Sequence, residues 1–279
     1  MQIFGKLIGG GIGLYSGHIP GLILGLIVGH IFDRSLQQTK DPFAGSIPQR
    51  GVMQAVFFQA TFLVMGKLAK ADGRVSEHEL QAARSVMTQM GLNETQRMEA
   101  MKLFTQGKTN DFDISEILSE LRDSMGRRSS LTQIFLEIQL QTAYSDGKLH
   151  SSERIVLQSI CQYLNINKLQ FELINQRVYA QQQFNKSRRQ YQQQNRQQGH
   201  QKTSFFNDTQ LLDKAYASLG VKKTSSLPDI KKAYRRLMNQ HHPDKLVAKG
   251  LPQEMMQLAK EKTQEIQTAY EMIKKSRKR

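Results

Sequence analysis

Apolar positions fall into four regimes along this chain of 279 residues. From Leu7 to Phe32 they run nearly unbroken, with no charged residue between Lys6 and Asp33. About 20 apolar residues in a helix cross the hydrocarbon core of a bilayer, so a transmembrane helix is predicted over 7–32, after a short N-terminus at 1–6. From 50 to 180 they recur at helical spacing, as in Val56, Phe57, Ala60, Phe62, Leu63 and Val64, and again in Leu131, Ile134, Phe135, Ile138 and Ala143. Between 181 and 204 they thin out sharply. From 205 to 279 they return as three amphipathic stripes, with Leu212, Ala215, Tyr216 and Leu219 on the first. Ile230, Tyr234, Leu237 and His241 mark the second, and Leu258, Ile266, Ala269, Tyr270 and Ile273 the third. The expected class is all-α: one N-terminal transmembrane helix, a helical bundle, a flexible linker and a C-terminal helical domain.

Two stretches of the middle region look alike. Ala71-Asp72-Gly73-Arg74-Val75 precedes Ser76-Glu77-His78-Glu79, and Ser145-Asp146-Gly147-Lys148-Leu149 precedes His150-Ser151-Ser152-Glu153. In each, a long apolar helix ends, Asp-Gly turns the chain, and a new helix starts; Ser76 with Glu79 makes a capping box. An internal duplication is the simplest account. Neither copy has the further oxygen ligands of a calcium loop, so no metal is expected. The arrangement resembles the TerB-like helical domain of tellurite-resistance proteins and membrane J-proteins.

The 181–204 segment is Gln-, Asn-, Arg- and Lys-rich, and no acidic residue occurs between Glu172 and Asp208. Such a composition buries too little apolar area to offset ordering, so a flexible tether is expected, though Gln and Arg could continue the preceding helix at its start. Net charge is +15, which favours anionic partners without choosing among them. With only Phe184 and Tyr191 as aromatics, the tether is thin for base stacking, and no nucleic acid is expected there. Cys161 is the only cysteine, which excludes an intramolecular disulfide and a Cys-based zinc site.

The apolar N-terminal span continues into Asp33-Arg34-Ser35-Leu36, a poor cleavage site, so an uncleaved anchor is expected. Its flanks carry Lys6 before and Arg34, Lys40 and Arg50 after, an excess that places the N-terminus across the membrane and the bulk of the chain in the cytoplasm. His18 and His30 have no intramembrane carboxylate partner and read as polar residues near the interface. Gly5, Gly9, Gly13, Gly17, Gly21, Gly25 and Gly29 recur every fourth residue. Small residues at that spacing let two helices approach closely in lipid, so homodimerisation is expected through the ridge from Gly9 to Gly29.

On the second C-terminal stripe the opposite side carries Lys231, Lys232, Arg235, Arg236 and Asn239. Pro243 disfavours helix at the residue before it, placing His242-Pro243-Asp244 in a loop. These helices in order, with Tyr216-Ala217-Ser218-Leu219-Gly220-Val221, the tripeptide, and Gln264 to Glu271 at their spacing, resemble the J-domain family, and the whole chain is similar to membrane-anchored DnaJ-like co-chaperones. Thr263 stands where that family often has an aromatic. The resemblance implies that the chain stimulates ATP hydrolysis by a DnaK-type chaperone through His242, Pro243, Asp244, Lys231, Lys232, Arg235 and Arg236. It implies no catalytic group, cofactor or metal of its own. Two other classes stay open: a basic nucleic-acid-binding membrane protein, resting on the charge and the tail from Lys274 to Arg279, and a metal-sensing TerB-like module centred on Asp72 and Asp146.

Bulky residues in the glycine ridge would hold two backbones apart. Gly17→Leu with Gly21→Leu is expected to abolish self-association of the membrane segment yet preserve insertion, because Leu is more favourable than Gly in lipid. Crosslinking in detergent, with Ile23→Leu as the off-ridge control, reads this directly.

Overall fold

The computed structural model describes residues 47–71, 73, 77–109, 111–126, 129–197 and 205–277. The span expected over 7–32 and its glycine ridge lie outside them, as do Asp72 and Ser76 of the first repeat. Secondary structure among the described residues is helical throughout.

The bundle is built around α1 (Ile47–Ala69), whose Phe57, Phe62, Leu63, Val64 and Met65 are fully buried. Among the described residues, Gly51–Ala69 is the helix long and apolar enough to cross a membrane, but 83% of that window is buried by its neighbours, which makes it a core helix. Around it lie α2 (Glu77–Gln89), α3 (Glu94–Gly107), α4 (Ser115–Met125), α5 (Ser129–Ala143) and α6 (Ser151–Tyr163). The second Asp-Gly turn forms as its residues dictate. A 3-10 turn over Tyr144–Asp146 ends at Gly147, whose φ of 95° suits glycine. The His150 backbone N–H then donates to the Glu153 carboxylate at 2.8 Å, opening α6.

The α1 and α3 backbones approach closely where they cross. A Cβ on Gly107 would stand 2.0 Å from the Leu63 carbonyl oxygen, and one on Gly66 would stand 2.1 Å from that of Phe104. Both helices present bare backbone at the point where they meet.

The segment expected to be a tether differs from that expectation. Helix α7 (Lys168–Gln197) runs without a break through residues 181–197, roughly 45 Å in all. Its first half places Phe171, Ile174 and Val178 in the bundle core; its second half places fully buried Phe184 in the core of the C-terminal domain. The physical reason is local: Gln and Arg are good helix formers, and one buried aromatic with half-buried Tyr191 supplies the packing that average composition hides.

The C-terminal domain comprises α8 (Phe205–Ser218), α9 (Leu227–His241), α10 (Pro243–Ala248) and α11 (Met256–Ser276). Helix α8 begins at Phe205, and Leu211 is more deeply buried than Leu212. Ser226 caps α9, accepting from the Asp229 N–H at 3.2 Å. Helix α9 packs on α11, with Tyr234 stacked on Tyr270 at 4.2 Å between centroids. Pro243 and Asp244 are not loop: they open α10, because proline at the first helical position has its φ preset and needs no N–H partner.

The corner between α9 and α11 docks on the bundle. Leu246, Leu251, Met255 and Ala259 are buried within the bundle's own apolar cluster. Gln54 Nε2 donates to the Leu251 carbonyl (3.2 Å), Gln96 Nε2 to Glu254 Oε1 (3.1 Å), and Lys249 Nζ to Ser130 Oγ (2.8 Å).

Because neither backbone at the α1–α3 crossing can recede, Gly107→Ala should destabilise the bundle by roughly 2–3 kcal/mol, even though alanine is the better helix former. The denaturation midpoint of residues 47–279 measures it, and an unchanged midpoint would contradict the crossing.

Candidate functional site

Helix α9 separates its residues as the hydrophobic stripe requires. Ile230, Leu237 and His241 are buried, while Lys231, Lys232, Arg235, Arg236 and Asn239 face solvent. The helix ends at His242, whose extended ψ of 124° turns the chain into α10. The Asp244 side chain is 89% exposed and that of His242 is 45% exposed, their nearest nitrogen and oxygen 3.9 Å apart. Lys245 donates to the Asn239 side chain, tying α10 back to α9. Four cations therefore run along the outer face of α9, and a projecting carboxylate follows at its C-terminal end, on a surface open to a partner. Arg235 and Arg236 lie about two turns before the tripeptide, and Lys231 and Lys232 about three, nearer the start of the helix.

Next to the tripeptide lies a buried polar junction. His241 sits beneath it, with Nε2 3.7 Å from Glu137 Oε1 of α5. Arg177 of α7 approaches the same oxygen at 3.8 Å, and the Gln133 amide donates to it at 2.8 Å. Lys262 of α11 adds its charge. Burial alone would push the Glu137 carboxyl up, but His241, Lys262, Arg177 and the Gln133 hydrogen bond together hold it below the ordinary range. Burial drives His241 down to about 4, with Lys262 and Arg177 adding and Glu137 opposing. Glu137 is thus the anion and His241 the neutral member.

Glu137 and Arg177 escape a reading by motifs. Glu137 nevertheless leaves a trace, as the only charged residue between Arg128 and Asp146, inside an apolar helix. A charge there needs a partner from elsewhere in the fold. Among the described residues no group of three His, Cys, Asp or Glu side chains converges on one point. Asp146 is engaged by the Lys148 N–H (2.9 Å) and by His150 Nε2 (2.8 Å). Burial raises the Cys161 thiol to about 12, so it stays protonated and unreactive.

A neutral buried His241 carries a sign. Its folded pKa lies below the unfolded value of about 6.5, so protonation favours the open chain, and stability falls as pH drops from about 6.5 towards 4. Thermal midpoints across that window should decline less in His241→Gln than in the native chain; parallel curves would show that His241 does not titrate there.

The domain order has counterparts. Residues 1–40 match the family model described as the co-chaperone DjlA transmembrane domain, residues 58–176 that of tellurite resistance protein TerB, and residues 214–279 the DnaJ domain. The co-chaperone protein DjlA of Coxiella burnetii is 44% identical over 280 residues, spanning 99% of both chains. Those of Pasteurella multocida and Escherichia coli K12 are each 41% identical, over 286 and 278 residues, again across 99% of both chains. No solved structure matches the chain. With a transmembrane domain, a TerB domain and a J-domain in the same order, and full-length relatives at these identities, the chain belongs to the DjlA family of co-chaperones.

Proposed function

We propose that the chain recruits a DnaK-type chaperone to the cytoplasmic face of the bacterial inner membrane and there accelerates the chaperone's ATP hydrolysis. The observation that carries this reading is the exposed Asp244 at the end of a helix whose outer face carries four cations. Lys231, Lys232, Arg235 and Arg236 attract an acidic surface and raise the rate of encounter in a salt-dependent way. Asp244 then engages a basic group of the partner, while His242 and Pro243 hold the shape of the turn between α9 and α10. Binding energy spent this way favours the hydrolysing state of the partner; the chain contributes no reacting group. The Lys and Arg excess after the N-terminal span supports the orientation, and the ridge from Gly9 to Gly29 supports a homodimer joined within the membrane.

His242 is half exposed at a helix junction, so its replacement leaves the packed cores alone. His242→Gln is expected to keep the native melting temperature while abolishing stimulation of single-turnover ATP hydrolysis by a purified DnaK-type chaperone. Full stimulation by the variant would sink the proposal.

A further inference from the structure

Where the J-domain docks, its α9 borders a cleft in the bundle. It measures about 540 Å³ and opens between α4, the α6–α7 turn and α7 of the bundle on one side and α9 of the J-domain on the other. Three arginines line it: Arg122, Arg177 and Arg236. Leu164, Leu173 and Ile174 form its apolar wall, and Leu173 is 54% exposed. No carboxylate lines it among the described residues.

Its positive charge is only partly met. Arg122 pairs with Asp123 at the surface, at 2.9 Å. Arg177 reaches Glu137 only at 3.8 Å, beyond hydrogen-bond length, and its buried Nη1 has no hydrogen-bond partner. Burial disfavours the charge on Arg177, Glu137 favours it, and the nearby Arg236 disfavours it, with a net downward shift. An incoming carboxylate in the cleft would relieve that repulsion. The cleft is also continuous with the basic face of α9. Arg236 belongs to both, and Gln240, whose amide meets Gln133 across the domain boundary, lies two residues before His242.

We propose that this cleft is a second half of the chaperone-docking surface, receiving an acidic segment with apolar side chains from the same DnaK-type partner that engages α9. The proposal rests on the co-chaperone reading above. It makes the TerB-like bundle a direct contributor to partner affinity, through residues outside the J-domain. The tripeptide governs what the partner does once bound; the cleft governs how tightly it is held.

The test uses the full chain in nanodiscs, titrated against a purified DnaK-type chaperone while ATP hydrolysis is followed. Arg122→Gln with Leu173→Ser should raise the half-saturating concentration about fivefold, close to 1 kcal/mol, with the maximum stimulation retained. Leu169→Ser, an exposed leucine one turn away and outside the cleft wall, should change neither value. A native chain that stimulates, with an unchanged half-saturating concentration in the double variant, overturns the cleft and leaves the co-chaperone reading standing. A fall in the maximum alone also overturns it. Absence of stimulation by the native chain removes both proposals together. Titrations in neutral discs and in discs containing phosphatidylglycerol separate the remaining occupant: an effect confined to the anionic discs would assign the cleft to a lipid headgroup instead.

Discussion

Leu246, Leu251, Met255 and Ala259 of the C-terminal domain are buried in the apolar cluster of another domain, and the arrangement of the folded chain depends on that exchange. Large aliphatic side chains at full burial are worth about 1.5–3 kcal/mol each, more than the part-buried hydrogen bonds around them. The corner between α9 and α11 is thus fixed by packing, while Gln54, Gln96 and Lys249 set its register. The tripeptide is held at the edge of this contact. Its neighbours face the bundle, and Asp244 faces solvent.

Glu137 gives the same contact a specific geometry. An ionised carboxylate at such depth is tolerated because Gln133, Arg177, Lys262 and His241 converge on it from four helices. Separating the domains would wet these groups, and removing Glu137 alone would strand the cations around it. A purely apolar contact could slide; one with a charge at its centre has a preferred seat. The seat determines where Arg177 and Arg236 meet, and so where the positive cleft forms.

Much of this was legible in the sequence wherever the signal was periodic or local. The stripe on α9 put Ile230, Leu237 and His241 inward and the four cations outward, as found. The second Asp-Gly turn followed from residue types whose backbone preferences are strong. The spacing of the tripeptide between its helices identified the J-domain. What escaped depended on residues distant in sequence. Composition over 181–204 argued for a tether, because an average over polar residues gives no weight to the position of Phe184. The bare crossing of Gly66 and Gly107 and the burial of Leu251 against α1 have no local signature. Pro243 was read for its effect on the residue before it, whereas its preset φ also starts the next helix.

Helix α7 joins the two cores, and a helical connection behaves unlike a chain segment. In a tether, adding residues changes reach and costs little, since closure entropy grows only slowly with length. In a helix each added residue advances the axis by about 1.5 Å and turns everything beyond it by about 100°. The span between Val178 and Phe184 therefore sets an angle as well as a distance. A single insertion there would swing the second core round its axis and away from its seat, whereas an insertion of seven residues, close to two full turns, would nearly restore the angle while displacing it by about 10 Å. The segment acts as a keyed shaft, and its length in this chain is constrained by rotational phase.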